Sequence, residues 1–570
     1  MTNRNSDRRR GLGAGLARFG HSIRQPKTAY MVLFGFSSGL PYALLLGTLY
    51  AWLSDAQVDL ETMGVFSLIG LTYAFKFLWS PLIDRISLPV MNRLGHRKQW
   101  IVLAQMLLGG IMMILSTLDP KGAIGMFSLL AGIGAFASAT QDVVIDAWRV
   151  DVADEEATVE ILSTVYQLGY RAAVLVGGAL ALFLADGFGW PPVYALMGAI
   201  LIGLGVISLF APENRRAEEM TESVDQLRQP GELQPKIRAL ALGVVGLLWF
   251  WALFDVVRFM ILSLGSDPAA RPDSVAFVSV QGPVIVIATV VIPSIIASIL
   301  AWMQRHGRGT LATSVPRASW TDAALDHGYR ALILPLTDIM GRLGWAAVLV
   351  LTLVLSYRIT DTIWGTFAYP FYLGELGYTK SEVAVASKFF GVGALMLGVT
   401  LGGVLFATIG RMATMTIGAL TAALTNLLYA DLSLGGAVMT MVSRLTGFTW
   451  LVEHLGGDER LARLMVAIGG ENIAGGIAGA ALVAYLSSIT SKGYSAVQYA
   501  LLSSLTFLVG TLGRGALGQM IETNGYYPVF LFTTALGGVA VVLCLLEWAR
   551  TAKASRAATA ESAAVQGQPI

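Results

Sequence analysis

The sequence predicts an all-α, polytopic membrane protein of about fourteen transmembrane helices, two six-helix bundles with two further helices inserted between them. Three observations predict this. Apolar residues collect in runs of about 20 to 30, charges are few and concentrate between the runs, and landmarks of the first half recur in the second.

Of the 570 residues, 55% are hydrophobic and 13% charged, about half the charge of an ordinary soluble chain. Crossing a hydrocarbon core of ~30 Å takes about 20 apolar residues in a helix. Backbone groups in lipid must be satisfied within the segment, so runs of this length can only be helices. They fall at 28–54, 60–85, 98–118, 122–147, 158–186, 190–211, 237–264, 275–303, 343–373, 381–409, 411–431, 461–490, 494–518 and 527–549. The basic, Gly-rich stretch before the first run lacks a short apolar core and a small-residue cleavage site, so that run reads as a retained helix. The expected domains are a basic N-terminus 1–27, a bundle 28–213, a central linker 214–342 carrying the inserted helices, a bundle 343–549 and a disordered tail 550–570. The stretch 432–457 reads as an amphipathic or re-entrant segment, because a further crossing would put Lys492 and the C-terminus on the wrong side.

Lys and Arg set the orientation. Clusters at Arg8–Arg10, Arg93/Arg97/Lys98, Arg215/Arg216, Arg305/Arg308/Arg317 and Arg550/Lys553/Arg556 all fall on one side of fourteen spans. The positive-inside rule makes that side the cytoplasm, with both termini there. The single Cys544 leaves no disulfide framework or thiolate cluster, and the five histidines lack metal-ligand spacing. The Gly-x4-Gly-Lys-Ser/Thr phosphate loop of ATP-driven pumps is missing, and no clustered nucleophile and base marks an envelope enzyme. The expected protein is therefore not an enzyme and has no cofactor or metal; no nucleic-acid partner and a monomeric state are expected alongside.

An internal repeat supports the two-bundle arrangement. Gly189-Trp190-Pro191-Pro192-Val193-Tyr194 opens the sixth span and Gly525-Tyr526-Tyr527-Pro528-Val529-Phe530 the last, both G-aromatic-x-P-V-aromatic. Gln141-Asp142 in the fourth span answers Glu471-Asn472 in the twelfth. Parallel halves of this kind build facilitator-type carriers, with a midplane site at the repeat interface. Gly39-Leu40-Pro41 and Tyr369-Pro370 interrupt the backbone ladder at equivalent places in the two halves, as broken helices of a rocking carrier would.

Charges inside the spans each cost about 2.5–3.5 kcal/mol on insertion scales unless paired or hydrated. They are Lys76, Asp142 and Asp146 on one helix face, Arg171, the pair Arg358 and Asp361, Lys388 and Glu471. Both signs occur in both halves, which suits a large zwitterionic or acidic solute and a titratable relay. Arg358–Asp361 also reads as a self-satisfied pair. Trp79, Trp100, Trp190 and Trp548 read as interfacial anchors, and Gly469-Gly470 and Gly475-Gly476 as close helix contacts.

Specific strings carry a family resemblance. Phe36-Ser37-Ser38-Gly39-Leu40-Pro41, Phe75-Lys76-Phe77-Leu78-Trp79-Ser80-Pro81-Leu82-Ile83-Asp84-Arg85, Gln141-Asp142-Val143-Val144-Ile145-Asp146-Ala147-Trp148 and Gly169-Tyr170-Arg171 are similar to signatures of the AmpG muropeptide permeases. The likeness continues through Tyr357-Arg358, Glu471-Asn472 and Ser495-Ala496-Val497-Gln498-Tyr499. It implies a major facilitator fold and proton-driven import of N-acetylglucosaminyl-1,6-anhydro-N-acetylmuramyl peptides from periplasm to cytoplasm, for cell-wall recycling and, in some bacteria, β-lactamase induction. The substrate-binding candidates are then Lys76, Gln141, Tyr170, Arg171, Tyr357, Arg358, Lys388, Asn472 and Gln498. Lys76 and Arg171 are placed to pair with cargo carboxylates, and Asp142, Asp361 and Glu471 are the proton-coupling candidates. Asp84-Arg85 with Arg97 resembles the gating loop of facilitator carriers, and Asp146 and Arg149 lie near the same face. The competing readings are a facilitator for a drug, a sugar or an acyl-coenzyme A, and a non-transporting sensor.

Overall fold

The computed structural model describes residues 24–58, 72–73, 75–83, 86, 88–89, 91–212, 227–228, 230–263, 274–313, 315–316, 320–360, 367–368 and 370–566. Asp84, Arg85, Asp361, Tyr369 and most of the expected second span lie outside them.

The helices follow the apolar runs. In chain order they are α1 (Pro26–Asp55), α2 (His96–Leu115), α3 (Ile124–Val152), α4 (Val159–Phe188), α5 (Trp190–Ser208), α6 (Pro235–Ser263) and α7 (Val280–Arg305). Two amphipathic helices follow, α8 (Trp320–Leu332) and α9 (Leu334–Leu343). Then come α10 (Ala346–Ser356), α11 (Ser381–Ile409), α12 (Arg411–Ser433), the short α13 (Ala437–Leu445) and α14 (Phe448–His454), α15 (Glu459–Ile489), α16 (Ser495–Asn524) and α17 (Tyr526–Gln566). Among the described residues, eleven helices are long and apolar enough to cross a membrane, or twelve if α9 and α10 count as one span. The expected fourteen are not all seen. The run at 60–85 is described only at its end, as a turn at Lys76–Leu78 and a short helix Ser80–Ile83, and 343–373 is divided into pieces. A two-stranded ribbon, Leu227–Arg228 with Val315–Pro316, is a small addition to the helices.

Glycine and proline set the boundaries. Gly189, Gly410 and Gly525 take φ of 78°, 82° and 75° and open α5, α12 and α17 at sharp turns, a conformation that costs glycine little. Pro41 stays inside α1, and the next turn, Leu44–Thr48, widens to a π-helix, a common response where the i→i−4 ladder is interrupted. The corresponding place in the second half, Pro370–Glu375, is also a π-helix. The α13–α14 pair, at 9 and 7 residues, is too short to cross a bilayer and is hinged at Gly447, in keeping with an amphipathic reading of 432–457.

The chain forms two compact units. One holds His21–Gly344 together with Leu486–Leu508, the other Trp345–Tyr485 and Val509–Ile570. In the first, α1 and α4 touch backbone to backbone: a Cβ on Gly35 would lie 2.1 Å from the Tyr166 carbonyl oxygen, and one on Gly169 2.1 Å from that of Val32. The inserted α6 and α7 are joined by a hydrogen bond from Trp249 Nε1 to the Thr289 carbonyl (3.1 Å), and Trp249 meets Phe77 edge to face. In the second unit, Gly398 and Gly476 let α11 and α15 approach equally closely, with Cβ clearances of 2.2 and 2.4 Å to backbone oxygens. Its core is a cluster of Phe371, Tyr372, Tyr429 and Phe530 with Ala467 and Ile468.

Candidate transport site

Three consecutive turns of α3 present Asp142, Asp146 and Arg149, all buried. Residues three and four apart share a helix face, and Lys76 faces this one. Its ammonium lies 3.7 Å from Asp142 and 3.9 Å from Asp146. Arg149, fully buried, is 3.0 Å from Asp146 on its other side. Two cations thus share two carboxylates, the condition under which buried charge is tolerable.

Gln141 donates to Ser37 Oγ (3.1 Å), which also receives Gln105 (2.9 Å), while Ser208 donates to Gln105 (2.7 Å). The Oε1 of Gln141 and the Oδ1 of Asp142 are buried and accept no hydrogen bond among the described residues. Around them stand four tyrosines that sequence reasoning passed over or named only in part. Tyr42 meets Tyr73 edge to face at 5.3 Å and lies 5.8 Å from Tyr170, Tyr166 is 6.2 Å from Tyr170, and Tyr73 donates to Ser138 (2.6 Å). Arg171 stacks over Tyr170 at 5.6 Å. Apolar rings with hydroxyl edges beside paired charges are suited to a polar, partly cyclic solute. The sequence held one local signal for these rings: Tyr166 is four residues before Tyr170, on the same face of α4.

The gating candidates Arg97 and Arg149 meet the segment 486–508, and Asp146 reaches it through Arg149. Arg97 donates to Asp151 (2.9 Å) and to Ser495 Oγ (2.9 Å), and Ser495 donates to Asp151 (3.0 Å), closing a triangle. Arg149 donates to Ser487 (3.2 Å) and lies between Tyr166 and Tyr499, at 5.2 and 5.0 Å. Lys492 donates to the Ala153 carbonyl (3.0 Å). Nearby, burial raises the Asp154 carboxyl, but hydrogen bonds from Lys27 and from the Ala157 and Glu156 amides outweigh it and hold Asp154 below the usual carboxylate range.

The remaining candidates are dispersed. Gln498 is engaged on both ends: it donates to the Pro335 carbonyl (2.7 Å) and Asp338 (2.9 Å), and accepts from Ser491 N–H (2.8 Å) and Arg342 (3.2 Å). In the other unit, Tyr357 donates to the Met415 carbonyl (2.9 Å) and packs against Gly418. Arg358 passes near Gly479. Lys388 is exposed on the π turn Val385–Phe390, and Asn472 donates to the Ile468 carbonyl (2.8 Å). Glu471 accepts a hydrogen bond from Tyr429. Trp79 and Trp190, expected at the interface, are packed inside, donating to Thr140 (3.1 Å) and Asp55 (2.7 Å). Their indole N–H groups are satisfied by protein rather than by headgroups.

Comparison with known proteins agrees with this architecture. Over 92% of its length, covering 80% of the relative, the chain is 28% identical to the anhydromuropeptide permease of Escherichia coli K12. A Rickettsia conorii protein named as an AmpG transporter is 26% identical over 88% of this chain and 92% of its own. The chain is thus similar, over most of its length, to permeases of the AmpG kind. The fold matches the human organic anion transporter MFSD10 at a TM-score of 0.51, with 14% identity, 91% of this chain and 99% of that one covered. It matches the proton:xylose symporter XylE at 0.51, with 11% identity, 93% of this chain and 95% of that one covered. Residues 28–186 also match the family model described as acetyl-coenzyme A transporter 1. This is a multi-pass inner-membrane transporter, not an enzyme.

Proposed function

We propose that the chain imports anhydromuropeptides from periplasm to cytoplasm by alternating access, coupled to protons, with both termini in the cytoplasm. The observation that carries this reading is the near full-length similarity to the Escherichia coli anhydromuropeptide permease, and the chemistry around Asp142 suits it. A muropeptide offers sugar faces to Tyr42, Tyr73, Tyr166 and Tyr170, carboxylates to Lys76 and Arg171, and amides and hydroxyls to Gln141 and Asp142. Asn472, Arg358, Tyr357, Lys388 and Gln498 are assigned secondary roles in the same path.

In this reading Asp142 carries the proton on the first-unit side, and Glu471 with Asp361 serves the other half. Cargo carboxylates compete with Asp142 and Asp146 for Lys76, so cargo entry and a change in the protonation of Asp142 are linked through one ammonium. The contacts of Arg97, Asp151 and Ser495, together with Asp84, Arg85, Asp146 and Arg149, form the cytoplasmic gate. The domain scheme of bundles 28–213 and 343–549 around the linker 214–342 belongs to the same reading.

The match of 28–186 to acetyl-coenzyme A carriers supports a second reading, an acyl-coenzyme A cargo. One experiment separates them. Vesicles carrying the protein take up labelled anhydromuropeptide, and unlabelled sugar-peptide but not coenzyme A esters competes. Competition by coenzyme A esters alone rejects the muropeptide reading. Loss of acid-outside drive in Asp142→Asn, with cargo exchange kept, is the expected signature of the proton assignment.

A further inference from the structure

The second unit contains a hydrogen-bonded file leading to Glu471, and its two tyrosines have no role in the assignments above. Tyr372 donates to the Tyr429 hydroxyl at 2.9 Å, and Tyr429 donates to the Glu471 carboxylate. The three residues come from separate elements: the π turn Pro370–Glu375, α12 and α15. The direction follows from the chemistry. A carboxylate only accepts, so Tyr429 spends its single hydrogen on Glu471. Its oxygen is then left to accept from Tyr372.

The file runs through dry surroundings. Tyr429 stacks on Phe530 at 5.6 Å and meets Phe371 edge to face, and Phe371 also packs on Phe530. Tyr429 and Tyr372 are 1% and 4% exposed. Shielding from water removes competing partners and strengthens each bond. Two phenols in such a box are not needed for packing alone, since phenylalanine would fill the same volume without burying a hydroxyl.

We propose that Tyr372 and Tyr429 are the proton path to Glu471, starting at the π turn of the broken span. The step balances. A proton arriving on the Tyr372 oxygen releases the Tyr372 hydrogen to Tyr429, and Tyr429 releases its own to the Glu471 carboxylate. One proton has crossed, both phenols are neutral, and Glu471 is a carboxylic acid. The hydroxyls now point away from Glu471, so a second transfer requires both to rotate back. The file therefore passes one proton per reset. Its first member sits on the π turn that Pro370 opens, which links the reset to movement of that turn.

The proposal rests on the proton-coupled muropeptide reading, and the test separates the two. The full-length protein is reconstituted in vesicles with labelled anhydromuropeptide. Accumulation driven by an acid-outside gradient is measured beside exchange at equal pH, which needs cargo binding and conformational cycling but no net proton movement. Wild type must do both, and absence of exchange rejects the muropeptide reading, not the path. Tyr429→Phe and Tyr372→Phe are expected to lower gradient-driven accumulation at least tenfold while exchange stays within twofold, as in Glu471→Gln. Accumulation at the wild-type level in both variants overturns the proposal. So does an equal loss of accumulation and exchange in both, which assigns the phenols to structure.

Discussion

Replacing Lys76 by Met is the sharpest test of how the first-unit charges are held. The Lys76 ammonium, almost entirely buried, serves Asp142 at 3.7 Å and Asp146 at 3.9 Å. Asp146 has a second cation, Arg149, at 3.0 Å, so the loss falls on Asp142. Removing one partner of a buried pair costs about 3–5 kcal/mol, because the other charge is left uncompensated. At ~1.4 kcal/mol per decade, the folded-to-unfolded ratio falls between about a hundred- and several-thousand-fold. The companion substitution Asp142→Asn removes the stranded charge, so Lys76→Met/Asp142→Asn is expected to recover most of the stability. Lys76→Met/Asp146→Asn is not, since Asp142 is still stranded and Arg149 loses its partner. Denaturant unfolding in detergent, followed by tryptophan fluorescence, of the wild type, the three single variants and the two doubles gives the coupling energy of each cycle. Wild-type stability in Lys76→Met refutes the pairing. Equal rescue by Asp146→Asn and Asp142→Asn refutes the assignment of the stranded charge.

Three further outcomes are expected. Arg97→Ala opens the triangle with Asp151 and Ser495, so an Ala500→Cys probe, 1% exposed in the intact protein, should react with a maleimide at least several-fold faster than in the Arg97 parent. Gly169→Ala forces a Cβ onto the Val32 carbonyl oxygen and should sharply reduce the monodisperse fraction on size exclusion, whereas Gly178→Ala, with nothing within 4 Å, should leave it unchanged. Asp154 is held below the usual carboxylate range by Lys27 and nearby amides, so its stabilisation is complete above the ordinary value of about 3.9 and fades as pH falls through the lower folded value. The stability gap between wild type and Asp154→Asn should be constant from neutral pH to about pH 5 and close in stronger acid, read by thermal unfolding across that range.

The helices were readable because lipid imposes length and apolarity on any span, a local demand that shows directly in runs such as 381–409 and 411–431. Lys76, Asp142 and Asp146 stood out for a related reason, since a charge in an apolar run needs a cause. The tyrosine wall did not. Tyr42, Tyr73 and Tyr166 look like any aromatic residue in a membrane helix, and only the close approach of α1 to α4 shows that Tyr42 and Tyr170 share one surface. Gln498 was read by its neutral polarity alone. Its partners Pro335, Asp338 and Arg342 lie about 160 residues earlier, in a stretch read as linker, a pairing that no local pattern encodes. Trp79 and Trp190 were misplaced because an indole at the end of an apolar run serves equally well against a headgroup or a buried oxygen.

The seam between α1 and α4 has a mechanical consequence. With Gly35, Gly39 and Gly169 bringing main chains into direct contact, the two rods have little room to slide or roll on each other. Each contains one widened turn, Leu44–Thr48 in α1 and Val176–Leu180 in α4, and Gly177 of the second lies against Ala43 and Leu40 at the edge of the first. The compliant points thus lie at the same height in neighbouring rods. A bend in one is carried into the other at a shared elbow, and the glycine-seamed portion below it swings as a single stiff arm.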